Sequence, residues 1–572
     1  MDYALDRFAG EIHAALVAQG GVPAGLIELI TPKPGIAADL AFPTFRAARE
    51  RGLPPPALAA ELAAGLRFGA ETLVGRVEAA GPFLNFSLDP ARLAAAVLAE
   101  CDRLGDDYGH DDRGAGQTMI VEYSSPNMAR RMHVGHIRST IIGQALANIL
   151  AALGYRAVSD SHIGDWGKNF GVLLTAIARE GRPEGRDEGA LATLEGFYAR
   201  YNRLLAEDPA LDAEAREWSL RLERGDETAR ELWRWIVEMT LRINAPLYAR
   251  LDVRFDTILG ESFFNDKMAP VVADALERGV ATRADDGAVV VELPELPTFL
   301  LERRDGGTLY HTRDAATIAY REAEWAPAAI VYVVDARQEL HFHQLFALMR
   351  ALGHGERTAL VHVSFGVVVG PDGQPLAARK GNMVYLQALL DEAHTRARAI
   401  VDATNAELPE AEREAIAEAV GIGAIIYNDL HQDPRRTIAL DWERMLALQG
   451  DSAPYIQYMH ARCRSILRRA GDADYAKGDP ALLVAPAETA LLRALAGLPV
   501  ALREAGARYA PFVLAGWCYE TARATAAFYR DCPVLAAESP DLRDARLRLV
   551  AATARALANG LRLLGIAAPA RM

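Results

Sequence analysis

A short apolar run, TMIVEY (118–123), leads through a polar turn into a long segment in which Ile137, Ile141, Ile142, Leu146, Ile149 and Leu150 share one helical face. A second apolar run, YRAVSD (155–160), closes the unit. A strand–helix–strand unit of about forty residues constrains the fold strongly, because such units build parallel sheets whose ligands collect at the carboxyl ends of the strands. Two more runs of strand type, AAIVYVVDA (328–336) and ALVHVSFGVVVG (359–370), extend the same pattern. The expected centre of the molecule is therefore an α/β domain with a parallel sheet.

The chain has 572 residues, too many for one core. Ahead of the sheet, residues 1–105 mix helical segments, such as 57–68 behind three prolines, with short strands such as GPFLNFSL (81–88). The acidic, Gly-rich stretch GDDYGHDDRGAGQ (105–117) has the composition of a linker. Mainly helical insertions interrupt the α/β region, among them ELWRWIVEMTLRI (231–243). From about Pro409 onward nearly every segment has helical periodicity. Three domains are expected: 1–112 (α+β), 116–450 (α/β) and 451–572 (all-α).

Net charge is −14, which by itself argues against a polyanionic partner, but the charge is unevenly spread. Residues 1–115 carry −6, the centre −13, and residues 451–572 carry +5. A basic segment on an acidic body can still bind nucleic acid locally. No apolar run is long and uncharged enough to span a membrane, and the amino terminus lacks a basic start followed by an apolar stretch. The four cysteines (101, 463, 518, 532) are scattered, which fits neither a disulfide framework nor a thiolate zinc site. A reducing cytoplasm is the expected compartment. His341 and His343 lack further ligands at metal spacing, so no zinc is expected.

The segment SPNMARRMHVGH (125–136) lies between the first strand and its helix. His133, Gly135 and His136 form a His-x-Gly-His pattern at a helix start. Two imidazoles and a helix amino terminus can together face a triphosphate, donating to oxygens that gain charge at the α-phosphate. Gly135 lets a nucleotide approach the backbone closely.

With these residues in hand, VEYSSPNMARRMHVGHIRSTIIGQAL followed by SHIGDWGKNFG (161–171) resembles the catalytic core of class I arginyl-tRNA synthetases. The resemblance continues through LYHTRDAATIAY (309–320), YVVDARQELHFHQLF (332–346), HVSFGVVVGPDG (362–373), DSAPYIQYMHAR (451–462) and the C-terminal FYRDCPVL and LANGLRLLGIAAPARM. It covers nearly the whole chain and is weakest in 1–110 and 180–290. It implies a Rossmann-like catalytic domain, an N-terminal domain touching tRNA and a helical anticodon-binding bundle. It also implies a monomer that, with ATP and Mg2+, converts L-arginine to arginyl-adenylate and moves the arginyl group to the 3′ end of its tRNA.

The resemblance carries over residue by residue. His133, Gly135 and His136 would bind ATP. Arginine is a planar cation with five donors and no acceptor, so its pocket must supply carboxylate and carbonyl acceptors. Asp314 would be the guanidinium partner, with Tyr310 packing beside it and Gln338 nearby, and Glu122 and Asn127 would hold the α-carbon end. Glu122 in an apolar strand needs a partner in any case. GDWG (164–167) would turn under the site, and His341 would lie near the nucleotide or in the scaffold. Tyr455, Tyr458, Arg462 and Arg468 would meet tRNA, stacking on unpaired bases and pairing with phosphates.

The second ATP motif of this class is lysine-rich, whereas here QPLAARKGN (374–382) offers only Arg379 and Lys380 as cations. Arg130, three residues before His133, is the expected substitute, and Arg131 the solvated member of the pair. Two other readings remain open: a small nucleotidyltransferase sharing the His-x-Gly-His site, and a tRNA-binding paralogue that has lost its chemistry. The C-terminal bundle argues against the first and the intact histidine pair against the second.

Overall fold

The computed structural model describes residues 2–33, 35–370, 373–374, 376, 384–471 and 473–572. The apolar runs form strands β1 (Thr118–Glu122), β2 (Arg156–Asp160), β3 (Ala329–Asp335) and β4 (Ala359–Phe365). They pair in the order β4-β3-β1-β2, all parallel, with Val121 opposite Ser159 on one side and Val331 on the other. The chain leaves β1 in one direction for β2 and returns to its other side for β3. That reversal is the switch point at which open parallel sheets bind ligands.

Helix α1 (Ile137–Ala152) joins β1 to β2 and is buried on most sides, as a helix between a sheet and another domain must be. At Gly143 the helix meets the Tyr123 ring so closely that a Cβ would lie 2.1 Å from Tyr123 Cγ. Arg138, 1 % exposed, anchors the start of α1 to Asp429 on the helix Glu410–Leu430 at 2.8 Å.

The region between β2 and β3 contains the expected helices, of which α2 (Glu188–Glu207) and α3 (Glu227–Arg250) matter below. It also contains a small antiparallel sheet, Ala281–Arg283, Val289–Val291 and Phe299–Glu302, which the sequence did not announce. Strands of three or four residues are too short for an alternating pattern to show. Helix α4 (Tyr310–Trp325) precedes β3, and α5 (Glu339–Ala351) follows it.

The first hundred residues fold as a three-stranded antiparallel sheet, Leu40–Pro43, Val74–Ala80 and Phe83–Leu88, packed with helices. The stretch 105–117 is not a free linker. Tyr108 is buried and donates to the Leu495 carbonyl at 3.1 Å, and Asp111 N donates to the Ala152 carbonyl at 2.8 Å. Its polar composition concealed one anchoring tyrosine. Beyond α6 (Ala453–Ala470) the chain is helical, and most of these helices begin with proline, which suits a first turn. Carboxylates of the N-terminal region meet arginines of this bundle: Asp6 with Arg503, Asp39 with Arg493 and Asp102 with Arg548, at 2.7–2.8 Å. The opposite charges of the two ends are thus partly spent on each other. Among the described residues no helix is long and apolar enough to cross a membrane.

Candidate active site

After β1 the backbone turns through Ser124 and Ala129, both left-handed (φ 49° and 63°), conformations that cost a non-glycine residue about 1–2 kcal/mol. The GDWG segment (164–167) supports this turn. Gly164 N donates to the Pro126 carbonyl at 3.1 Å, Met128 N donates to the Gly164 carbonyl at 3.0 Å, and a Cβ on Gly164 would lie 2.3 Å from Asn127 Oδ1. Trp166 packs on Trp233 of α3, whose Nε1 donates to the Asp165 carbonyl at 2.7 Å.

The turn delivers His133 and His136 side by side, ring centroids 4.0 Å apart. His133 Nδ1 accepts from Gly135 N at 3.0 Å, and His136 Nδ1 accepts from His133 N at 3.1 Å. With Nδ1 accepting, the neutral His133 ring carries its proton on Nε2, a donor it can offer, whereas His136 Nδ1 also lies 3.3 Å from the His133 carbonyl oxygen and its tautomer follows which of the two backbone groups it engages. Burial, then the charge of Arg130, holds the His133 pKa below its ordinary value. For His136, burial, then His133, drives it down to about 3. Both imidazoles are neutral at pH 7.

They line a cleft of ≈ 400 Å³ together with Asn127, Arg130 and Arg131 and, from α2, Glu195 and Tyr198. The two arginines differ. Arg130 is exposed, with its guanidinium 4.4 Å from the Tyr198 ring centroid and no ion pair among the described residues. Arg131 is not a solvated charge, contrary to expectation. It gives Glu195 three hydrogen bonds, from N, Nε and Nη2 at 2.6–2.8 Å, and its guanidinium sits 3.8 Å from the Tyr385 ring centroid. Glu195 and Tyr198 are one turn apart on α2, so one helix face engages both. Val134 N donates to the Val384 carbonyl at 3.0 Å and Leu386 N to the Met132 carbonyl at 2.9 Å, which straps the chain after the second ATP motif to the histidine segment. Arg379 and Lys380 themselves lie outside the described residues.

Helix α4 brings the acidic side together. Asp314 Oδ2 is 2.6 Å from His341 Nε2 on α5, so His341 holds the acid in place. Burial would raise the Asp314 carboxyl, but the hydrogen bond from His341, and then His162 and Arg313, outweigh it and hold the pKa below the usual carboxylate range. Tyr310, one turn earlier, is 65 % exposed, and Gln338 is exposed just beyond β3. Glu122, at the end of β1, pairs with Arg321 of α4 at 2.7 Å, and Arg321 also pairs with Asp160 at the end of β2. Burial would pull the Arg321 guanidinium down, but Glu122 and Asp160 more than offset it and keep it charged. Arg321 and Asp160 escaped the sequence reading as site residues, and the pairing of His341 with Asp314 was not foreseen. A charged residue on the buried face of α4 was the available signal.

On α6, Arg462 lies between Tyr458 and Tyr529, 5.0 and 4.1 Å from their ring centroids. Tyr458, Arg462 and Arg468 line a cleft of ≈ 420 Å³ with the C-terminal Arg571 and Met572. Arg468 donates to the Ala570 carbonyl at 2.8 Å, whereas Tyr455 packs edge-on against Tyr519.

Residues 103–442 match the family model of the catalytic domain of class I (R) tRNA synthetases. Residues 6–88 match the N-terminal domain of arginyl tRNA synthetase and 456–572 the DALR anticodon binding domain. The chain belongs to the arginyl-tRNA synthetases. An arginine–tRNA ligase of Chloroflexus aggregans is 60 % identical over 574 residues, covering 100 % of both chains. One of Streptococcus thermophilus is 39 % identical over 550 residues, covering 95 % of each. The solved arginyl-tRNA synthetase of Thermus thermophilus superposes with a TM-score of 0.82 at 26 % identity, covering 99 % of this chain and 100 % of its own. Like its family, the chain is a class I ligase that charges tRNA with arginine.

Proposed function

We propose that the ≈ 400 Å³ cleft binds ATP and that the acidic side of the switch point binds L-arginine, so that arginyl-adenylate forms between them. The observation that carries this reading is the pair of adjacent imidazoles, each held through Nδ1 by the backbone at the start of α1. As the arginine carboxylate attacks the α-phosphate, negative charge grows on its oxygens and on the departing pyrophosphate, and prepositioned Nε2–H donors stabilise it without reorganising. Arg130, which among the described residues rests on an aromatic face without an ion pair, is the cation to meet the β- and γ-phosphates, alongside Arg379 and Lys380.

Asp314, kept ionised by His341, takes the guanidinium beside Tyr310 and Gln338, while Glu122 and Asn127 hold the α-carbon end. Mg2+ bound to ATP neutralises phosphate charge. The cleft offers one carboxylate, Glu195, and Arg131 already holds it, which suits an ion carried mainly by phosphates. The arginyl group then passes to the 3′ end of tRNA, bound through the C-terminal cleft at Tyr458, Arg462 and Arg468, with Tyr455 packed behind. The deciding experiment is pyrophosphate exchange with each amino acid, run with and without tRNA. Arginine-specific exchange that depends on tRNA is expected. Exchange with another amino acid would overturn the substrate assignment, and rapid exchange without tRNA would overturn the tRNA requirement.

A further inference from the structure

Arg321 is fully buried, two helical turns beyond Asp314 on the same face of α4. One guanidinium here serves two carboxylates from two strands, Glu122 and Asp160, and Nη1 donates to Tyr332 Oη at 3.3 Å. Asp160 is committed inside the protein, because its other oxygen accepts from Thr257 Oγ1 at 2.7 Å. Glu122 is held through Oε2 alone, and among the described residues Oε1 has no hydrogen-bond partner. Glu122 stands at the carboxyl end of the central strand, where Arg321 engages one of its oxygens and leaves the other unclaimed among the described residues. A carboxylate buried there needs such a partner.

We infer that Arg321 is a positioning residue for substrate recognition: by engaging Oε2 it holds Glu122 turned so that its other carboxylate oxygen receives a positive charge of the arginine substrate. The inference rests on the reading of Glu122 as a substrate ligand. Because Arg321 and Asp314 share α4, the same helix also sets the spacing between the two recognition carboxylates. Both carboxylates meet the same nitrogen, Nη2, while Nη1 is turned to Tyr332, so the planar guanidinium reaches three groups in fixed directions that a lysine, with one nitrogen, cannot all keep.

The test uses Arg321→Lys in the full-length enzyme, with affinities for arginine, for citrulline (no guanidinium charge) and for 5-guanidinopentanoate (no α-ammonium). Arg321→Lys should weaken arginine by about tenfold while the KM for ATP and the affinity for tRNA stay unchanged, and it should spare the analogue that lacks the cation Glu122 holds. On the reading above that analogue is 5-guanidinopentanoate. If citrulline is spared instead, Arg321 keeps its role with Glu122 facing the guanidinium. Equal weakening of arginine and both analogues means a structural role and overturns the inference.

Glu122→Gln separates the two levels. If Glu122→Gln leaves arginine binding intact, the reading of Glu122 itself fails. If Glu122→Gln weakens arginine and Arg321→Lys does not, only the positioning role fails. Should Arg321→Lys not fold, Thr257→Val replaces it. Freeing an Asp160 oxygen to compete for Arg321 should weaken arginine by about threefold in an otherwise normal enzyme, and no change would count against the inference.

Discussion

The two sides of the switch point are built on opposite electrostatic plans. On the side proposed for ATP, the imidazoles of His133 and His136 are neutral and the exposed cation Arg130 rests on Tyr198. On the side proposed for arginine, the polar groups are already paired with one another, in the buried Glu122–Arg321–Asp160 cluster and the half-buried Asp314–His341 pair. The difference follows from the ligands. A triphosphate brings several negative charges, so donors that need little desolvation suffice and a mobile cation can follow the leaving group. A single guanidinium with five donors must find acceptors whose charge and direction are set in advance.

Four experiments can break or sharpen that contrast. The largest effect is expected from Asp314→Asn, which leaves a guanidinium facing a neutral amide at a cost of about 2–5 kcal/mol. The KM for arginine should rise steeply while that for ATP holds, and equal changes in both would erase the distinction between the sides.

Next comes His136→Asn, where loss of one prepositioned donor should slow adenylate formation about 10²–10³-fold in single-turnover assays at saturating tRNA, with little change in arginine affinity. The same variant reports on charge. The pKa of His136 lies near 3 when folded against 6.5 unperturbed, so as pH falls below about 6.5 the unfolded chain binds this proton and the folded chain does not. Wild-type stability should therefore fall between these values, and His136→Asn should make the denaturation midpoint fall less. An identical pH slope in both proteins would mean that His136 is charged in the fold.

Arg130→Ala should slow activation by about tenfold, roughly 1.4 kcal/mol, with tRNA affinity preserved. Arg131→Ala and Lys380→Ala are the controls. A slow Lys380→Ala beside a normal Arg130→Ala would show that the loop retains its lysine chemistry. The smallest effect is expected from Arg462→Gln with Arg468→Gln, which should weaken tRNA binding modestly and flatten its salt dependence as fewer counterions are released. Arg462 is half-occupied by Tyr458 and Tyr529, so an unchanged salt slope would mean that the stacking is purely structural.

Much of this molecule was legible before any coordinates. The parallel strands, the helix after His136 and the helical C-terminal region follow from apolar periodicity, and the motifs pointed to Asp314 and the histidine pair. The small antiparallel sheet and the packed stretch 105–117 were hidden because very short strands and one anchoring tyrosine leave no periodic trace.

What the sequence determined alone was everything set by neighbours along the chain: periodicity, turn chemistry, and the order of motifs that marks an arginyl-tRNA synthetase. What only the tertiary structure decided was how charges are shared. Glu122 visibly needed a partner, yet nothing nearby in sequence could name Arg321, 199 positions on, or show that Asp160 shares it. Arg130 and Arg131 are adjacent and chemically identical, and a helix face more than sixty residues away gives one a carboxylate and the other, among the described residues, only an aromatic ring. Burial makes a partner obligatory, because an unpaired charge out of water costs several kcal/mol, but the fold chooses which partner arrives.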